Sequence, residues 1–238
     1  MPIHNFQVLD RKHVIYHSSN IKLFEFFPFT NNDILSPAFH LVEQELNLIS
    51  PNIWGENKFY CRRNQKGKPQ QLLMGFYEQN VSNNPNRIWK LYEQTNRNLL
   101  LAFKPILQFY SKKILSERSV DDLLPCPPEY GLFGTVFTAI AVNNHLCTWH
   151  IDPRDKITML FYFGDFSGGS LLLGPPLNLN VPVQKFDCGI IAAKTIFHKS
   201  NVFEGFRFNI SAFSKLTTPE TVKGRLICDR GIQWALDR

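Results

Sequence analysis

Apolar residues recur along this chain with two different spacings, and the change from one to the other divides it. Ser36 to Leu48 carries apolar positions at helical spacing, with Ser36 suited to an N-cap and Pro37 to the first helical position. Pro85 to Leu115 repeats that spacing through Ile88, Leu91, Tyr92, Leu99, Leu100, Phe103, Ile106, Leu107 and Tyr110, interrupted by Pro105. One or two helices are expected there. Lys22 to Phe29 has the texture of a strand. The helical texture ends at the proline-rich stretch 123–128.

Beyond that point the chain becomes a series of short β-like runs: Leu132 to Val142, Leu146 to Ile151, Lys156 to Phe163, Ser170 to Leu173, Val181 to Lys185, Ile190 to Ala193 and Phe206 to Phe213. Gly164, Gly168-Gly169, Gly174-Pro175-Pro176 and Asp187-Cys188-Gly189 punctuate them. Regularly spaced short strands predict a sandwich or barrel. The expected fold class is α+β, a jelly roll buttressed by N-terminal helices. One domain spanning 1–238 is expected: mainly helical support with some strand over 1–128, the β core over 129–216 and a C-terminal extension over 217–238.

Composition narrows the class further. Hydrophobic residues make up 44% of the 238 and charged residues 19%, with 21 Phe, which excludes a disordered, collagen-like or coiled-coil chain. No run approaches the length of a membrane span, and the start lacks a secretory apolar core, so an intracellular protein without membrane association is expected. Five cysteines without a CxxC pair indicate neither a disulfide framework nor a thiolate zinc cluster. The net charge of +6 favours a polyanionic partner.

Candidate chemistry gathers at His150-Ile151-Asp152, His198 and Arg207. On a strand, residues i and i+2 share a face, so His150 and Asp152 would project into one space. If His198 comes from a neighbouring strand, two imidazoles and a carboxylate meet on one side of a metal, the facial triad of non-haem iron(II) oxygenases. Such a triad leaves positions for a co-substrate and oxygen. In the run from Phe206 to Phe213, Arg207, Asn209 and Ser211 alternate with Phe206, Phe208, Ile210 and Ala212. The polar face either lines an open barrel mouth, where a guanidinium and a hydroxyl hold a carboxylate, or is the solvent side of a half-buried strand.

The span from Gly131 to Phe213 resembles the double-stranded β-helix of iron(II)- and 2-oxoglutarate-dependent dioxygenases, and within them the TET/JBP-like branch abundant in fungi. Five ordered blocks carry the resemblance: Phe137 to Asn143, His150 to Asp155, Phe163 to Leu171, His198, and Gly205-Phe206-Arg207. It implies that His150, Asp152 and His198 bind Fe(II), and that Arg207 pairs with the distal carboxylate of 2-oxoglutarate, with O2 as the second co-substrate. Ser211, Asn143 and Tyr162 are further co-substrate candidates; the alternatives are a turn-forming Asn143 and a core-packed Tyr162. Gly168-Gly169 reads as a hairpin turn. In two places the chain departs from the pattern. Phe186-Asp187-Cys188-Gly189 stands where Pro-Gly-Asp is common, and Phe213 stands where the AlkB-like branch has a second arginine.

The implied activity is oxidation of a methyl group on a nucleic-acid base, 5-methylcytosine first and N6-methyladenine second, with release of succinate and CO2. DNA would then be the partner, the nucleus a candidate compartment, and a monomer the expected state. Lys58, Arg62, Arg63, Lys66 and Lys68, beside Phe59 and Tyr60, form an acid-free stretch suited to phosphate contact and base stacking, or a solvated loop. The alternatives are a hydroxylase of a protein side chain or small molecule, and an inactive jelly-roll binding module.

Overall fold

Alternation of apolar and polar positions in the second half of the chain produces strands whose two faces serve different layers. The computed structural model describes residues 6–18, 21–30, 34–53, 71–79, 88–91, 96–117, 130–143 and 146–215. In chain order the elements are β1 (Gln7–Val8), β2 (Val14–Ser18), β3 (Ile21–Phe27), α1 (Ser36–Ile53), β4 (Gln71–Gln79), β5 (Ile88–Leu91), α2 (Arg97–Leu115), β6 (Ala139–Asn143), β7 (Asp155–Phe163), β8 (Phe166–Gly168), β9 (Leu171–Leu173), β10 (Leu179–Val181), β11 (Cys188–Ile191), β12 (His198–Ser200), β13 (Phe203–Gly205) and β14 (Phe208–Lys215). Eight strands form one sheet in the order β2-β3-β11-β7-β14-β6-β4-β5. Four form a second, β1-β10-β9-β12, and β13 pairs with β8 alone.

Two cores lie on the two faces of the large sheet. On one face, Ile140 and Val142 of β6, Met159, Phe161 and Phe163 of β7 and Phe208, Ile210 and Ala212 of β14 pack with Phe39, Val42 and Leu46 of α1 and Leu99, Phe103, Ile106 and Tyr110 of α2. On the other, Phe24, Phe26, Tyr162 and Ile191 meet Leu171, Leu173, Leu179 and Val181 of the small sheet. This is the expected jelly roll, with helices on its outer face. Neither helix among the described residues is long and apolar enough to cross a membrane.

Several local expectations shift. The first hydrogen bond of α1 runs from the Phe39 N–H to the Leu35 carbonyl, so the helix begins at Ser36 rather than after it, and it runs on to Ile53. Within the stretch from Pro85, residues Ile88–Leu91 are a strand paired with β4, which local spacing did not single out. Sheet pairing overrides the helical pattern there. The helix starts later, capped by the Asn96 side chain, which accepts from the Leu99 N–H at 2.9 Å. Pro105 does not interrupt it. Pro105 lies on the exposed side, and the carbonyl it leaves unbonded, that of Leu101, is on that side too, so water can satisfy it.

In the β region, Leu132–Gly134 is a 3-10 turn with Phe133 at φ +54°, and the strand begins only at Ala139. The strand expected over Leu146 to Ile151 reduces to a single bridge at His150. Val181 to Lys185 is the end of β10 and a turn. That turn closes with Phe186 at φ +70°, while the buried Asp187 carboxylate accepts from the N–H groups of Gln184 and Phe29. Gly168-Gly169 is not a hairpin: β8 pairs with β13 and β9 with β12 and β10, so the two glycines carry the chain from one sheet to another.

Candidate active site

His150 and His198 face each other across an antiparallel bridge. The His150 N–H donates to the His198 carbonyl at 3.1 Å, and the His198 N–H to the His150 carbonyl at 3.0 Å. Asp152 lies in irregular backbone instead of on a strand; its N–H donates to the Ala193 carbonyl at 2.9 Å. Three backbone hydrogen bonds, rather than strand periodicity, bring the side chains together. Ligand atoms of His150, Asp152 and His198 all lie within 4.8 Å of one another. The Asp152 carboxylate is 3.8 Å from His150 Nε2 and 3.5 Å from His198 Nε2.

The outer nitrogens set the tautomers. His150 Nδ1 lies 2.7 Å from the Thr148 carbonyl, and His198 Nδ1 2.9 Å from the Ile196 carbonyl. A carbonyl only accepts, so both protons sit on Nδ1 and both Nε2 lone pairs turn toward Asp152. Metal-ligating histidines have this arrangement. Two imidazoles and one carboxylate suit a divalent iron.

The trio opens on a cavity of ≈ 240 Å³. Its wall includes Asn143, Cys147, Asp155, Tyr162, Asn209 and Ser211. Strand register explains the grouping: Asn209 of β14 stands opposite Asn143 of β6 and Tyr162 of β7. The polar face of β14 is therefore a cavity wall rather than a solvent face. Asn143 is buried, and its Oδ1 accepts no hydrogen bond among the described residues. Tyr162 is both core-packed and cavity-lining, and burial pushes its hydroxyl pKa well up, with the Arg207 charge acting the other way. Position alone in the sequence did not mark Cys147 or Asp155 as wall residues.

Arg207 immediately precedes β14 and is buried, beside the cavity-lining Tyr162. Its Nη1 donates to the Gly169 carbonyl, while Nε and Nη2 have no hydrogen-bond partner among the described residues. Burial lowers its pKa to about 10, so it stays charged at neutral pH. A desolvated cation with two open N–H groups suits an anion. The basic stretch of Lys58, Arg62, Arg63, Lys66 and Lys68 lies outside the described residues.

No protein-family model matches the chain, and no curated protein matches it. Among solved structures, it is similar to NgTET1 in complex with 5mC DNA, with a TM-score of 0.63 and 16% identity over 92% of this chain and 89% of that one. It is also similar to OsALKBH1 (TM-score 0.45, 14% identity, 84% of this chain and 100% of that one) and to a 2OG-Fe(II) oxygenase family oxidoreductase from Burkholderia pseudomallei (0.38, 10%, 58% and 72%). The chain's likeness to the NgTET1 structure is one of fold, and the fold is a double-stranded β-helix. Within that fold its likeness is to a TET structure over nearly the whole of both chains.

Proposed function

We propose that the protein is an Fe(II)- and 2-oxoglutarate-dependent dioxygenase. The observation that carries this reading is the convergence of His150, Asp152 and His198 with both Nε2 lone pairs facing the carboxylate. His150, Asp152 and His198 would hold the iron, which with 2-oxoglutarate and O2 would supply oxidation of an unactivated C–H bond with release of succinate and CO2. The protein's own residues do the positioning. The Thr148 and Ile196 carbonyls orient the imidazoles by accepting from Nδ1, which turns Nε2 inward, and Asp152 would supply the single negative ligand. Arg207, whose Nε–H and Nη2–H are unpartnered among the described residues and whose guanidinium carbon lies 5.7 Å from the Tyr162 ring, would hold the distal carboxylate of 2-oxoglutarate. Asn143 and Ser211 offer an amide and a hydroxyl on the cavity wall.

The substrate in this reading is a methyl group on a nucleic-acid base, 5-methylcytosine first and N6-methyladenine second. Support comes from the likeness to a structure holding 5mC DNA and from the net charge of +6. A base in a duplex must be extruded to reach such a cavity, and a basic segment near the mouth would hold the backbone. Succinate formation by the iron-loaded protein, with methylated oligonucleotide against unmethylated oligonucleotide and peptides, tests both levels. Methyl-dependent turnover is expected, falling to background in His150→Ala and in Asp152→Ala. Unchanged turnover in both variants overturns the metal assignment, and turnover with peptides alone overturns the substrate.

A further inference from the structure

Arg207 is a buried cation whose surroundings are aromatic instead of acidic. Its side chain forms no ion pair among the described residues, and its one hydrogen bond goes to the Gly169 carbonyl. The guanidinium carbon lies 4.1 Å from the Phe203 ring centroid, 5.4 Å from that of Phe166 and 5.7 Å from that of Tyr162. Phe166 and Phe203 meet edge to face at 6.3 Å and 72°. Their strands, β8 and β13, form a two-stranded ribbon separate from both sheets. The ribbon supplies two of the three rings.

The partner type matters for what the guanidinium can still do. A buried carboxylate would stabilise the charge but would occupy the N–H groups an incoming anion needs. Ring faces stabilise a cation through their quadrupole and accept no strong hydrogen bond in the guanidinium plane. They leave Nε–H and Nη2–H open, as observed. Gly169 makes the approach possible: a Cβ there would overlap Arg207 Nη1 and come 2.6 Å from Phe203 Cβ.

We infer that Phe203, together with Phe166, is a positioning residue for the anion site: the rings hold Arg207 in place with its donor edge free for a carboxylate. This rests on the reading of Arg207 as the 2-oxoglutarate anchor. Calorimetric titration of the anaerobic, iron(II)-loaded protein with 2-oxoglutarate tests it, with iron affinity measured alongside. Phe203→Leu is expected to weaken 2-oxoglutarate binding about tenfold while iron affinity stays within about twofold, and Phe203→Tyr to restore it. If Phe203→Leu does not fold, Phe166→Leu, at the more exposed ring, is expected to give a smaller loss in the same direction.

Wild-type affinity in the leucine variant overturns the ring role and leaves the oxygenase reading standing. So does equal loss in the leucine and tyrosine variants. Wild-type affinity in Arg207→Lys, or no 2-oxoglutarate binding by the wild-type protein, overturns the anchor assignment beneath it.

Discussion

Glu25, on β3, has a fully buried side chain and gathers two ammonium groups and an imidazole: Lys22 at 2.5 Å, Lys113 of α2 at 3.1 Å and His13 at 2.8 Å. Burial acts to raise its pKa, but the hydrogen bonds from Lys22, His13 and Lys113 together outweigh it, and the net direction is down. A carboxyl depressed by folding contributes stability above its unfolded pKa, and that contribution is lost as pH falls through the folded value. Glu25→Gln should therefore cost about 3 kcal/mol at pH 7 and flatten the acid limb of the stability curve. Urea denaturation at pH 7 and at pH 4 checks both parts, and equal pH dependence in wild type and variant would refute the assignment. Arg11 and Asp187 form a comparable clip at 2.6 Å, fastening the segment after β1 to the turn before β11. The Arg11–Asp187 clip and the contacts of Glu25 with His13 and Lys113 were not legible in the sequence, because their partners lie in different parts of the chain and nothing local marks them; only Lys22 shares β3 with Glu25.

Among the elements, α2 shows how a helix tolerates a residue that argues against it. Its buried face, from Leu99 through Phe103, Ile106, Leu107 and Tyr110 to Ile114, packs on the sheet, and Pro105 falls on the opposite side. Packing holds the helix where propensity opposes it. Pro105→Ala restores a hydrogen bond to the Leu101 carbonyl, offset in part by the greater freedom of the unfolded chain. A net gain of about 1–2 kcal/mol is expected, or roughly 4 °C in thermal midpoint by scanning calorimetry. An unchanged or lower midpoint would mean that the helix is shaped around the proline. β4 and β5 teach the converse. Ile88 and Leu91 fit a helical pattern, yet they pair with β4 at the sheet edge, a choice made by pairing with the preceding strand rather than by local spacing.

At the scale of the molecule, the excess positive charge belongs to the substrate proposal. Binding to a polyanion releases counterions, so log affinity should fall with log salt concentration. Neutralising Lys58, Arg62, Arg63, Lys66 and Lys68 together is expected to weaken DNA binding and to flatten the salt slope by up to about four units. Fluorescence anisotropy with a labelled duplex across a salt series measures both, and full affinity in the variant would place the contact elsewhere.

The sequence by itself determined the period-two texture after residue 130, and with it the β core. It also determined the order His150, Asp152, His198 and Arg207, and the alternation that sends Asn209 and Ser211 to one face of β14 and Phe208 and Ile210 to the other. Those features are local, since the pleat alone separates the faces of a strand. Tertiary structure decided the rest. Asp152 reaches the histidines from irregular backbone held by Ala193, the imidazole tautomers depend on the Thr148 and Ile196 carbonyls, and Gly169 serves as a passage for Arg207 instead of a hairpin turn. Each depends on hydrogen bonds or close packing set by the folded backbone, and no period along the chain encodes them.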